Sequence, residues 1–110
     1  MKQGEEYSLQ QGCVKWFRMQ YPHYLLWSTP NEACWKNKNY FEQIGLLSGV
    51  SDLICVLPNK VLFFEMKAKK GRQSLEQKQF QQRIETLGFE YHLIRDFDSF
   101  MEIINNNIHK

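Results

Sequence analysis

Residues 52–57 and 61–67 are two short runs rich in branched and aromatic side chains, joined through Pro58-Asn59-Lys60. They read as a β-hairpin, and the rest of the chain has to be built around it. Strand alternation sorts the second arm: Val61, Phe63, Glu65 and Lys67 share one face, while Leu62, Phe64 and Met66 share the other. On the first arm Asp52, Ile54 and Val56 share a face. With Pro58-Asn59 as a two-residue loop, Val56 faces Val61, Ile54 faces Phe63, and Asp52 faces Glu65. Pro-Asn is not a favoured primed turn, so a slipped or bulged register competes with this one. In the direct register two acids meet at the open end of the hairpin, with Lys67 one step further along. They continue a row that is otherwise apolar.

Directly opposed residues have Cβ atoms roughly 5 Å apart. Two carboxylates that close repel, and one takes up a proton unless a counter-charge intervenes. A hard divalent cation resolves the conflict by accepting oxygens from both. Mg²⁺ is typically held by one or two carboxylates, with waters and substrate phosphates completing the shell. Lys67 then lies beside the metal, placed to orient a water or hold a phosphate. The plain alternative is a solvated Asp–Lys–Glu cluster, common and of little energetic consequence. Two flanking segments bear on the choice. Glu6 precedes Leu9, Cys13 and Phe17 by three, seven and eleven positions, on the inward stripe of a helix expected over 5–19. Glu5 is swung off that stripe. Gln77 precedes Phe80, Ile84 and Leu87 by three, seven and ten, again on an inward stripe. Four inward polar groups and a lysine, drawn from four elements, favour a site over a chance cluster.

The remaining elements follow from periodicity and punctuation. Pro22 helps to end the first helix. Residues 24–28 read as a short strand, and 32–47 can hold a short helix carrying Phe41, Ile44 and Leu47, weakened by the polar run 36–39. Ser74 is the expected N-cap of a helix over 75–87, with Gln77 at the capping-box position and Gly88 as terminator. Residues 89–95 form another strand, and Asp96 or Asp98 opens a last helix with Phe100, Ile103 and Ile104. The order is α-β-(α)-β-β-α-β-α, an α/β (α+β) fold with a mixed sheet flanked by helices. At 110 residues this is a single domain, 1–110. Apolar residues at 43% and charged residues at 24% exclude a disordered chain. A net charge of +2 excludes a histone-like protein but not local nucleic-acid binding. Cys13, Cys34 and Cys55 form no CxxC pair, which suits a reducing, cytoplasmic compartment rather than a disulfide frame or zinc site. The apolar run 61–64 is too short for a bilayer, and the first dozen residues have no signal-like core. His23, His92 and His109 have no ligand spacing.

GVSDLICV, then FFEMKAKKGRQS, then Gln77 resemble the VRR-NUC nuclease domain of the PD-(D/E)XK, restriction-endonuclease-like superfamily. The resemblance runs from about residue 6 to 104. It implies a deoxyribonuclease that uses Mg²⁺ or Mn²⁺ on DNA. By position, it makes Asp52 and Glu65 metal ligands, adds the Met66 backbone carbonyl, and makes Lys67 the catalytic lysine. Gln77 matches the glutamine of the following helix. Glu6 matches the N-terminal acid, as a metal ligand directly or through water; Glu5 competes for that role and only helix phase separates them. Ser51 stands where the superfamily pattern has proline. The run 67–72 is the densest positive patch in the chain. It is a solvated loop or, beside a metal, an edge that grips phosphates, with Lys69, Lys70, Arg72 and Ser74 as candidate DNA contacts.

Stand-alone members of the family are often phage-borne and resemble dimeric Holliday-junction resolvases, in a bacterial or phage-infected cytoplasm. The expected partners are therefore branched DNA and a second copy of the chain, with no membrane. Trp35, Tyr40, Phe41, Ile44 and Leu46 are more apolar than a loop needs and offer an interface; alternatively they cover a sheet edge. Trp27, Trp35, Tyr40 and Phe41 either stack bases or pack. The competing function is a catalytically inactive DNA-binding module on the same scaffold, and a third is a structural or assembly protein. The intact acid–acid–lysine–glutamine set speaks against the binder, which has no use for buried acids near phosphate.

Overall fold

The computed structural model describes residues 2–30 and 35–108. The elements are α1 (Lys2–Gln20), β1 (Leu25–Ser28), α2 (Lys38–Gln43), β2 (Leu53–Leu57), β3 (Lys60–Met66), α3 (Leu75–Thr86), β4 (Glu90–Ile94) and α4 (Phe97–Ile108). This is the order expected from the sequence. The helix expected within 32–47 is only α2; the start of that span, and Cys34, lie outside the described residues, as does His109.

The four strands form one sheet in the order β1-β2-β3-β4. β2 pairs antiparallel with both β1 and β3, and α3 carries the chain over so that β4 runs parallel to β3. The hairpin takes the direct register, from Leu57 opposite Lys60 to Leu53 opposite Phe64, without a slip. Asn59 explains why: its φ of 59° supplies the left-handed residue that follows Pro in a type II turn. The ladder stops one residue short of the acids.

Alternation divides the side chains between two cores. Leu53, Cys55 and Leu57 join Leu62, Phe64 and Met66 on one face, packed against Cys13 and Phe17 of α1 and Phe100 and Ile104 of α4. Each large side chain buried there contributes roughly 1.5–3 kcal/mol. The opposite face is smaller: Phe63 and Val50 pack against Phe80, Ile84 and Tyr91. Glu65 lies on that second face and is fully buried. Cys13 and Cys55 are free thiols in the larger core, and burial pushes each up to about 12.

Caps fix the helix ends. Ser74 Oγ accepts from Gln77 N at 3.1 Å and Gln77 Oε1 accepts from Ser74 N at 2.8 Å, a full capping box. Asp96, not Asp98, opens α4, its Oδ1 accepting from Ser99 N at 2.8 Å. The Ser99 bonds hold the Asp96 carboxyl below its usual range. Among the described residues no helix is long and apolar enough to cross a membrane.

Candidate active site

Glu65 is held on several sides. It ends β3, faces the smaller core, and is 0% exposed. Its Oε1 accepts hydrogen bonds from the Tyr91 hydroxyl and from Gln73 Nε2, the latter at 3.1 Å. Burial first, then the Glu65 carboxylate, pushes the Tyr91 phenol far above its ordinary range, so it remains a donor. Gln73 is fixed in turn by Gln81 Oε1 at 2.9 Å. The other carboxylate oxygen, Oε2, lies 3.3 Å from Lys67 Nζ but, among the described residues, accepts no hydrogen bond, although it is buried. The pair is an ion contact without hydrogen-bond directionality. A buried carboxylate oxygen left in this state is costly unless another group completes it.

Asp52 lies just beyond the ladder. Instead of continuing the pairing, its Oδ2 accepts from the backbone N–H of Met66 at 2.6 Å. Burial pushes its carboxyl up to about 6; the Met66 bond pulls down, and the charges of Glu65 and Glu6 push up again. Lys67 offsets these only weakly, as the least of the influences. Glu6 is half-buried, while Glu5 is exposed. Glu6 shares with Asp52 two clefts, of about 590 and 230 Å³; the larger also takes in Met66, and the smaller Ser74 and Gln77. Gln77 reaches this cleft through the first turn of α3, while its Oε1 is committed to the cap. The glutamine that touches Glu65 is therefore Gln73.

Gly49 explains how the Asp52 segment comes so near α3. Its φ is +77°, and a Cβ there would lie 2.4 Å from the Glu76 carbonyl oxygen. Only glycine permits that approach.

The basic loop is pinned from both sides. Ala68 N donates to Glu6 Oε2 at 3.3 Å, and Lys69 N donates to Glu5 Oε2 at 2.8 Å. Both acids of α1 therefore hold this loop, Glu5 from the solvent side. Arg95 Nη1 donates to the carbonyls of Ala68, Lys69 and Gly71 at 2.7, 3.1 and 2.8 Å. With its backbone tied, the loop presents the side chains of Lys69, Lys70 and Arg72 to solvent.

Three participants escaped the sequence reading: Gln73, Tyr91 and Arg95. Tyr91 sits on β4 and Arg95 directly follows it, so their signal was the expected strand over 89–95 together with its parallel placement beside β3. Gln73 lies in a loop, where no periodicity points to it.

The donor set suits a hard divalent ion. It offers carboxylates and a strand-end carbonyl, with one buried carboxylate oxygen lacking a hydrogen bond. Among the described residues no three His, Cys, Asp or Glu side chains form a ready metal cage. A Mg²⁺ site built from two carboxylates, waters and phosphate does not need one.

These elements define a mixed α+β architecture, an antiparallel three-stranded sheet extended by one parallel strand, with acids gathered at the strand ends beside a helix N-terminus. A solved structure of a "VRR_NUC domain protein" has a similar fold, with a TM-score of 0.74 over 96% of this chain and 88% of that one at 18% identity. At that identity the likeness establishes the fold. Neither a scan against protein-family models nor a search of curated proteins finds a match.

Proposed function

We propose that the chain is a metal-dependent nuclease that hydrolyses phosphodiester bonds in DNA. The observation that carries this reading is Glu65: a fully buried carboxylate held on Oε1 by Tyr91 and Gln73, with Oε2 beside Lys67 and without a hydrogen bond. Asp52, pushed up to about 6, adds a second carboxylate that resists carrying its charge alone. Both tensions are relieved by a cation. In this reading Asp52, Glu65 and the Met66 carbonyl hold Mg²⁺ or Mn²⁺, and Glu6 contributes from the shared cleft. When bound, the ion supplies Lewis acidity for the phosphoryl group and lowers the pKa of water.

The chain's own groups do the rest. Lys67 orients the water or holds a phosphate oxygen. The exposed Lys69, Lys70 and Arg72 meet the DNA backbone from a loop whose conformation is fixed by Glu5, Glu6 and Arg95. Ser74 and Gln77 border the same cleft. The inactive-binder alternative is disfavoured by the buried acid, which repels phosphate and gives a binder nothing.

A homodimer acting on branched DNA is part of the same proposal, in line with the resemblance to PD-(D/E)XK resolvases. It is supported by Tyr40, Ile44 and Leu47 around α2, which are large, apolar and exposed. The test is cleavage of linear duplex and four-way DNA in Mg²⁺, Mn²⁺ and EDTA, with Glu65→Gln and Asp52→Asn as controls. Metal-dependent cutting lost in both variants is expected; full activity in excess chelator, or in either variant, overturns the assignment.

A further inference from the structure

Two clefts adjoin along the outer side of α1. The one that holds Glu6 and Asp52 also takes in Tyr7, Gln10 and Ser28. A second, of about 400 Å³, shares those same three residues and adds Gln11, Lys15 and Arg18. Together they form one continuous groove that begins at the acids and ends at two cations. Among the described residues no acidic side chain lines the second part.

The helix repeat produces this alignment. Tyr7, Gln11, Lys15 and Arg18 follow at i, i+4, i+8 and i+11, so they share a face, next to the buried stripe of Cys13 and Phe17. Glu5 and Glu6 are the acids of α1, both in its first turns, and the rest of the helix carries only positive charge. Tyr7 is 67% exposed, so packing does not account for it. Arg18 is steadied at the far end by donating from Nη2 to the Leu26 carbonyl at 3.0 Å.

We propose that this groove is the track of a single DNA strand leaving the acid pair, with Tyr7 stacking a base and Lys15 and Arg18 taking phosphates. The proposal rests on the nuclease reading of that pair. From Glu6 to Arg18 the helix rises about 18 Å, the span of roughly five nucleotides at B-form rise. Charge sets the polarity of the track. Its acidic end tolerates a phosphate only with a cation between them, and its basic end attracts one directly. An aromatic face between amides and cations is the arrangement by which sequence-tolerant single-strand binders work.

The test is fluorescence anisotropy with a labelled 15-nucleotide oligothymidylate in Ca²⁺, across a salt series, for the wild type, Tyr7→Ala, Lys15→Gln and Lys60→Gln. Lys60 is the control because it sits at the turn end of the hairpin, paired with Glu90. Both groove residues are exposed, and thermal melting checks that each variant is folded. Tyr7→Ala should weaken binding roughly tenfold. Lys15→Gln should weaken it several-fold and flatten the log Kd against log salt slope by about 0.7. Lys60→Gln should bind as the wild type does. Cleavage of this strand and of four-way DNA in Mn²⁺ separates the two ideas. Groove variants that bind as tightly as the wild type, while the wild type cuts, refute the track and leave the nuclease reading standing. Binding that depends on Tyr7 and Lys15 without any cutting sustains the track and overturns the nuclease reading. A wild type that neither binds nor cuts overturns both.

Discussion

Replacing Tyr91 by Phe removes one hydroxyl and little else, which makes it a clean probe of how Glu65 is held. The ring stays in the smaller core against Phe80. What is lost is the donor to Glu65 Oε1, together with a long 3.5 Å contact accepted from Gln73 Nε2, leaving Gln73 Nε2 at 3.1 Å as the remaining hydrogen bond to that oxygen. A hydrogen bond to a charged group contributes about 1.5–3 kcal/mol, against roughly 0.5–1.5 for a neutral pair. Glu65 has no water to substitute for the lost donor, because it is 0% exposed. The upper half of the charged range therefore applies, and the melting temperature should fall by on the order of 10 °C. Urea unfolding of the metal-free protein, followed by far-ultraviolet circular dichroism, measures this directly. The control is the same substitution in a Glu65→Gln background. There the acceptor is a neutral amide, and the loss should shrink to about 1 kcal/mol. A Tyr91→Phe cost below about 0.5 kcal/mol, or one equal in the two backgrounds, would refute the claim that the phenol holds a charged carboxylate.

Other perturbations test neighbouring parts of the argument. Asp52 has its folded-state carboxyl raised to about 6, so the folded chain holds that proton more tightly than the unfolded chain does. Its contribution to stability is therefore lost as pH rises from about 4 through 6, by roughly 2–3 kcal/mol. In EDTA, Asp52→Asn should be the more stable protein at pH 7.5 and lose that advantage near pH 4, as read by urea midpoints. A constant difference across that range contradicts it. Gly49→Ala places a Cβ 2.4 Å from the Glu76 carbonyl oxygen at a φ of +77°, and should cost about 2 kcal/mol or more in the same assay. An unchanged midpoint sinks the close-approach argument. Arg95→Met leaves the carbonyls of Ala68, Lys69 and Gly71 without their guanidinium donor. Hydrogen exchange across 68–72 should accelerate while that of β2 does not; uniform protection argues against the pin.

The hairpin was legible because each of its signals was local. Alternation assigned the faces, and the direct register followed from a two-residue loop. The doubt about Pro-Asn dissolved once Asn59 adopted a left-handed conformation, which a type II turn accepts. The capping box at Ser74 and Gln77 was equally plain, yet it complicates the reading of Gln77. The same spacing that makes it inward also makes it a cap, and the structure commits its Oε1 to the cap. The partners of Glu65 were not legible, because each comes from a segment whose position depends on tertiary placement. Tyr91 falls within the strand expected over 89–95, and its hydroxyl meets Glu65 only because β4 lies beside β3. Helix phase swings Glu5 off the inward stripe, and its side chain is exposed. Phase could not reveal that an exposed carboxylate would still reach the Lys69 amide.

The parallel placement of β4 is what draws these groups together. In a parallel pair both strands deliver their carboxyl ends to the same edge, so the segment after Met66 and the segment after Ile94 emerge side by side. Lys67 N donates to Ile94 O at 2.9 Å, carrying the pairing one residue past the strand. Arg95 then stands next to the loop whose carbonyls it holds. An antiparallel β4 would bring the start of that strand to this edge instead, and Arg95 would leave at the hairpin turn. The parallel arrangement requires a crossover, and the crossover here is α3. Its first turn supplies Ser74 and Gln77 to the cleft, its approach loop supplies Gln73 to Glu65, and its backbone receives Gly49. One topological choice thus joins the buried acid, the basic loop and the helix cap at a single sheet edge. Damage to the seat of α3, as at Gly49, should therefore disturb the acid site without touching either carboxylate.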